Sequence, residues 1–134
     1  MKSGKETGAI SAFGMKLRQG ATEEAKEHGL VVVDEAHERQ FIGQCKAEGL
    51  RMECVGTSEG KGGDHTLYAD RAMSEGLKAT GCAVMLRHYG NVTVRAELCD
   101  RMEMALNAAG EAYEVTDAAD TMDGGTVYRY ERTK

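Results

Sequence analysis

The sequence predicts an α+β domain built on an antiparallel sheet, with two helices packed on one face. Three observations carry this. Short apolar runs that read as strands, led by Leu30–Val33, alternate with longer runs of helical spacing. Glycines stand just past the ends of helical stretches, at Gly29, Gly49 and Gly110, where a left-handed residue closes a helix. The strand–helix–strand order occurs twice in one chain of 134 residues, a length that makes one domain with a modest core.

Residues 1–20 carry Lys2, Lys5, Lys16 and Arg18 against Glu6, a net of +3 that leaves −8 for the rest of a chain totalling −5. A basic leader ahead of an acidic domain reads as a mobile tail. Its one apolar patch, Ile10–Met15, is long enough for an extra edge strand at most. The domain proper is expected over residues 21–134. ATEEAKEHG, residues 21–29, is a short helix with a glycine stop. Leu30–Val33 is a β-branched run of the kind found in a buried central strand. Ala36–Glu48 is a helix with Phe41, Ile42 and Cys45 on one face. Leu50–Thr57 alternates, sending Leu50, Met52 and Cys54 one way and Arg51, Glu53 and Val55 the other.

After this strand the chain reads as a long glycine-rich loop, with Gly56, Gly60, Gly62 and Gly63, that closes on Asp64, His65, Thr66, Tyr68 and Asp70. No other stretch is so rich in reactive side chains, and rigid scaffolds carry function on loops. Ala69–Leu77 reads as a short helix or irregular, and Cys82–Tyr89 as a strand with a turn at Gly90 and Asn91. Val94, Leu98, Met102, Ala105 and Ala109 have helical spacing, ended by Gly110. Ala112–Thr116 and Thr126–Tyr130 are final strands, with a turn at Asp123–Gly125. This order makes a ferredoxin-like sandwich the expected fold. Glu53, Arg87 and Tyr89 would then lie on the face without helices, exposed or covered by another subunit, so a homo-oligomer is expected.

The acidic balance argues against a nucleic-acid surface. No apolar run approaches the roughly 20 residues that span a bilayer, and the N-terminus lacks the apolar core of a secretion signal. A soluble cytoplasmic protein is expected. Cys45, Cys54, Cys82 and Cys99 show no CxxC or Cys/His pattern, so they read as reduced core thiols. His28, His37, His65 and His88 contain no i,i+4 pair, so neither a metal nor another cofactor is expected.

VVVDEAHER, residues 31–39, looks like the acidic motif of DEAH-box helicases. That reading needs a GxxxxGK[ST] phosphate loop, which GTSEGKGG does not supply. Asp34 and Glu35 therefore read as a helix N-terminus. The glycines around Lys61 either cradle a phosphate or simply connect two strands. His65 beside Asp64 is the histidine placed for acid–base work, or else a solvated loop residue. Glu53 and Glu59 either face one pocket and bind an ammonium group or are solvated acids.

Residues 49–72 resemble the second strand and long loop of the PII-like (GlnB-like) proteins, ferredoxin-like trimers with ligand sites between subunits. Residues 95–131, with Thr121, Gly124 or Gly125, Val127 and Tyr128 at their end, and residues 37–60 resemble the phage S-adenosylmethionine-degrading enzymes, which share that architecture. The resemblance implies a homotrimer in the host cytoplasm that cleaves S-adenosylmethionine to methylthioadenosine and homoserine lactone, as a phage counter-defence. It implies Glu59 or Glu53 on the substrate ammonium and Tyr68 against adenine or the sulfonium. Asp64 and His65 would contact the ribose, with Thr57 and Ser58 as further substrate contacts. The alternatives are a non-enzymatic PII-like sensor of adenine nucleotides and an accessory protein whose acidic surface binds a protein partner.

Overall fold

A computed structural model describes residues 21–60 and 63–133; the leader expected over residues 1–20 lies outside them. The described chain is α+β, with an open sheet of six strands in the order β1-β3-β2-β4-β6-β5, each pair antiparallel. The elements are α1 (Ala21–His28), β1 (Leu30–Asp34), α2 (Glu35–Glu48), β2 (Met52–Gly60) and β3 (Gly63–Asp70). They continue with α3 (Glu75–Tyr89), β4 (Asn91–Arg95), α4 (Ala96–Ala108), β5 (Tyr113–Asp120) and β6 (Thr126–Arg132).

Helices cover both faces of this sheet rather than one, and the strand order explains why. Strand–helix–strand crossovers are right-handed in nearly all proteins. The β1-to-β2 and β3-to-β4 crossovers each skip one strand and advance the same way across the sheet, but β1 and β3 are antiparallel. Right-handed crossovers of that kind put their helices on opposite faces. Neighbouring residues of β3 show the result: Tyr68 packs on Phe41 of α2, while Leu67 meets the backbone of α3 at Gly81. The β4-to-β5 crossover starts from a strand parallel to β3, so α4 lands beside α3. Both faces of β1 are therefore covered, and Leu30–Val33 are buried although β1 is an edge strand and not a central one.

Several expectations fail for identifiable reasons. The long glycine-rich loop is a β-hairpin: β2 runs on to Gly60, which pairs with Gly63 across residues 61–62, and those two lie outside the described residues. Residues 69–77 divide between the end of β3, a turn and the start of α3. Cys82–Tyr89 is helix, not strand. An apolar run reads alike as buried strand or buried helix, and α3, wedged between sheet and α4, buries Ala79, Cys82, Ala83, Met85 and Leu86. Arg87 and Tyr89 thus belong to α3. Asn91 opens β4, and the following helix starts at Ala96, leaving Val94 as a buried strand residue.

The local punctuation agrees with expectation. Gly49 closes α2 in the left-handed region, with its N–H donated to Cys45 and Lys46 carbonyls. Asp34 caps α2 through its side-chain oxygen, and Ser74, a cap the sequence reading did not single out, does the same for α3.

Candidate functional site

The expected site residues all lie on the β2–β3 hairpin, divided between its faces. Side chains alternate along a strand, so Glu53 and Glu59 would share a face on a regular one. A bulge between Cys54 and Gly56 adds one residue and reverses the alternation. Glu53, Ser58 and His65 face α3. Thr57, Glu59, Asp64 and Tyr68 belong to the α2 face.

Glu53 is saturated with cations. Its Oε2 accepts from Lys78 Nζ at 2.6 Å and from Arg95 Nη2 at 3.3 Å. The Lys78 side chain is only 8% exposed and also reaches the Arg71 carbonyl. Burial works against the Glu53 carboxylate, but hydrogen bonding and charge from Lys78 and Arg95 outweigh it and hold the carboxyl below its ordinary range.

Glu59 stands at the far end of β2 with its side chain 68% exposed. Its Oε1 lies 3.4 Å from Arg129 Nη2, and Arg129 also pairs with Glu131 at 3.0 Å. Asn91 fixes the backbone here, accepting from the Glu59 N–H at 2.8 Å and donating to the Glu59 carbonyl at 2.9 Å. Ser58 is not available to a ligand: it is buried and donates to the Asn91 carbonyl at 2.6 Å. Thr57 pairs with Thr66 on one side and Thr93 on the other, forming a polar row beside Arg129.

His65 is buried rather than a solvated loop residue, with its ring stacked 4.6 Å from Tyr89. Among the described residues, neither His65 Nδ1 nor Tyr89 Oη, both buried, has a hydrogen-bond partner. Burial, and then the charge of Asp34, push the Tyr89 hydroxyl up to about 12. Asp34 accepts from the His37 backbone N–H at 3.1 Å and meets its Nδ1 at 2.5 Å, so the acidic pair of the helicase-like motif serves to open α2. Asp64 is exposed, and its N–H donates to Glu35 Oε1 at 3.2 Å.

Tyr68 is buried under α2 and donates to Glu38 Oε2 at 2.5 Å. Burial and the Glu38 carboxylate together push its hydroxyl well above the ordinary tyrosine range. Its ring helps to line an open pocket of about 140 Å³ with Phe41, Ile42, Cys45, Leu50 and Met52. That is below the roughly 300 Å³ at which drug-sized ligand sites begin. Among the described residues no group of three or more His, Cys, Asp and Glu side chains is arranged to hold a metal ion.

Sequence reasoning missed Lys78, Arg95, Asn91 and Arg129, the partners that give the two acids their different surroundings. Lys78 had a signal: it follows Ser74 by four residues, one turn inside a capped helix that becomes apolar from Ala79. Arg129 had none, because its meeting with Glu59 depends on β4 lying between their strands.

The fold and these residues define a class, an α+β domain with a polar hairpin among the inner strands of an open antiparallel sheet. A scan against family models, a search of curated proteins and a search of solved structures each find no match. Among the described residues no helix is long and apolar enough to cross a membrane.

Proposed function

We propose that this protein cleaves S-adenosylmethionine to methylthioadenosine and homoserine lactone, and that Glu59 is the acid that holds the substrate. In this reaction the substrate's own carboxylate oxygen attacks the γ-carbon of its methionine tail, the one attached to sulfur. A C–O bond forms, the C–S bond breaks, and its electron pair returns to sulfur, giving a neutral thioether. No base or metal is required. The protein's task is to fold the methionine tail into attack geometry, and orientation of that kind can contribute about 7–11 kcal/mol.

The observation that carries this assignment is the contrast between the two acids. Glu53 is occupied by two cations, one of them buried. Glu59 is exposed, and its contact with Arg129 is a surface pair of the kind that contributes little. An incoming α-ammonium group can displace Arg129 from Glu59, whereas displacing Lys78 would leave a buried charge unpaired. Thr57 lies on the same face, one position inward from Glu59, and Asp64 is the cross-strand partner of Glu59; in this reading both contact the substrate. His65 and Ser58, buried on the other face, are positioning residues for the hairpin. Tyr68 supports α2 and borders the small pocket.

The antiparallel α+β class is what this chain shares with a ferredoxin-like, PII-like subunit; helices on both faces of the sheet are its own departure from that pattern. The resemblance behind this reading implies a homotrimer with sites completed between subunits, and Glu59, exposed at the end of β2, is open to such a neighbour. The test is incubation of the full chain with S-adenosylmethionine and chromatography of the products. Methylthioadenosine with homoserine lactone is expected; methylthioadenosine with homoserine alone would mean hydrolysis. Absence of methylthioadenosine at micromolar enzyme overturns the proposal. In a parallel thermal-shift panel, stabilisation by ATP, ADP or AMP without turnover would instead indicate a nucleotide sensor.

A further inference from the structure

β5 closes the sheet at the edge opposite β1, and among the described residues nothing pairs with its outer side. Glu114 to Asp120 are all exposed, so the strand is bare on its faces as well as along its edge. Proteins blunt such edges, and β5 has two of the usual devices: a bulge between Val115 and Asp117, and the charges of Glu114, Asp117 and Asp120. All three charges are negative, however. They repel another acidic strand, including β5 of a second copy, and favour a basic one. The register adds a second reason. Glu114 stands directly opposite Glu131, and like charges so placed are destabilising. The nearby cation, Arg129, is already shared between Glu131 and Glu59. A cation brought to the outer side of β5 would relieve that pair.

We propose that this edge takes an extended, positively charged segment by strand addition, and that residues 1–20 of a second copy supply it. That segment carries four basic side chains against Glu6, with the apolar patch Ile10–Met15 between them. Reach decides between the chain's own leader and a partner's. α1 begins at Ala21 and packs on β1 and α2, at the opposite edge of the sheet. β1 and β5 are five interstrand spacings apart, about 24 Å, and an added strand sits about 5 Å further out. The five residues between Met15 and Ala21 span roughly 20 Å when fully extended. The patch therefore falls short of its own β5 and pairs in trans. The contact joins two different surfaces, so it builds a ring where the rotation between copies closes and an open chain where it does not. It stands independently of the reaction proposed above.

The full chain is to be followed by sedimentation from micromolar to hundred-micromolar concentration, with hydrogen exchange of the β5 amides read in parallel. Association with slowed exchange at β5, weakening as salt rises, is expected. Reversing charge on the strand (Glu114→Lys, Asp117→Lys, Asp120→Lys) or in the leader (Lys2→Glu, Lys5→Glu, Lys16→Glu, Arg18→Glu) removes the salt-sensitive association and restores fast exchange at β5. Mixing the two variants restores association, because each then offers what the other lacks. The leader variant leaves the described domain unchanged in sequence, so it decides the matter even if the strand variant does not fold. A full chain whose β5 amides exchange equally fast at the lowest and highest concentrations overturns the proposal. So does association that the leader variant leaves unchanged.

Discussion

Glu53 and Glu59 are six residues apart on one strand, yet their carboxylates face opposite sides of the sheet. The bulge between Cys54 and Gly56 separates them. One acid is thereby committed to Lys78 under α3, and the other is left exposed beside Arg129.

Substitution at these two positions should affect different measurements. Glu59→Gln is expected to reduce methylthioadenosine formation at least a hundredfold while leaving the urea midpoint unchanged, as an exposed surface pair contributes at most about 1 kcal/mol. Glu53→Gln should cost about 2–4 kcal/mol in urea unfolding, because it leaves the Lys78 ammonium buried without its counter-charge. Equal loss of turnover in both variants, with neither destabilised, would remove the distinction.

Acid should act through Glu53. Its carboxyl is held below its ordinary value of 4.5 despite the opposing effect of burial. A lowered carboxyl contributes stability that is present above the ordinary value and lost as pH falls through the folded-state value. The wild type should lose stability on going from about pH 5 to pH 3, and Glu53→Gln should show a shallower fall. Parallel curves for the two proteins would assign the acid sensitivity to other carboxylates.

Gly81 and Gly43 form a matched pair of helix glycines. A Cβ at Gly81 would lie 2.8 Å from Leu67 Cδ2 and 3.1 Å from Leu30 Cδ2, whereas one at Gly43 meets nothing within 4 Å. Gly81→Ala should therefore destabilise by about 1–3 kcal/mol through overpacking. Gly43→Ala should stabilise by roughly 0.5–1 kcal/mol, the ordinary preference of a helix for alanine. Chemical denaturation of both variants checks the sign of each.

Tyr68→Phe removes the hydroxyl that donates to Glu38. A loss of about 1–2 kcal/mol is expected from the broken bond and the carboxylate left without it. KM for S-adenosylmethionine should stay within twofold, since the ring already packs on Phe41 beneath α2. A KM raised tenfold with stability intact would place Tyr68 in the binding site instead.

Much of the fold was legible from local chemistry. α1, α2 and α4, together with the Asp123–Gly125 turn, were marked in the sequence by apolar spacing, caps and glycines. Each of those signals acts within a few residues and reports on its own neighbourhood. β3 and α3 were misread because burial on several sides erases periodicity: His65 to Ala69 are five consecutive buried residues, polar and apolar together. Glycine misled as well. Gly56 belongs to a bulge and Gly60 and Gly63 to a hairpin end, where close packing and turning, not looseness, call for them.

The sequence by itself determined the α+β class, the acidic balance and the stretch of chain that bears the reactive side chains. Only the tertiary structure decided which of those side chains face each other. A single bulged residue reverses every side chain beyond it, and the direction of each crossover assigns a helix to one face or the other. Both are properties of strand pairing between distant segments. Lys78 meets Glu53, and Arg129 meets Glu59, through partners that lie 25 and 70 residues away along the chain.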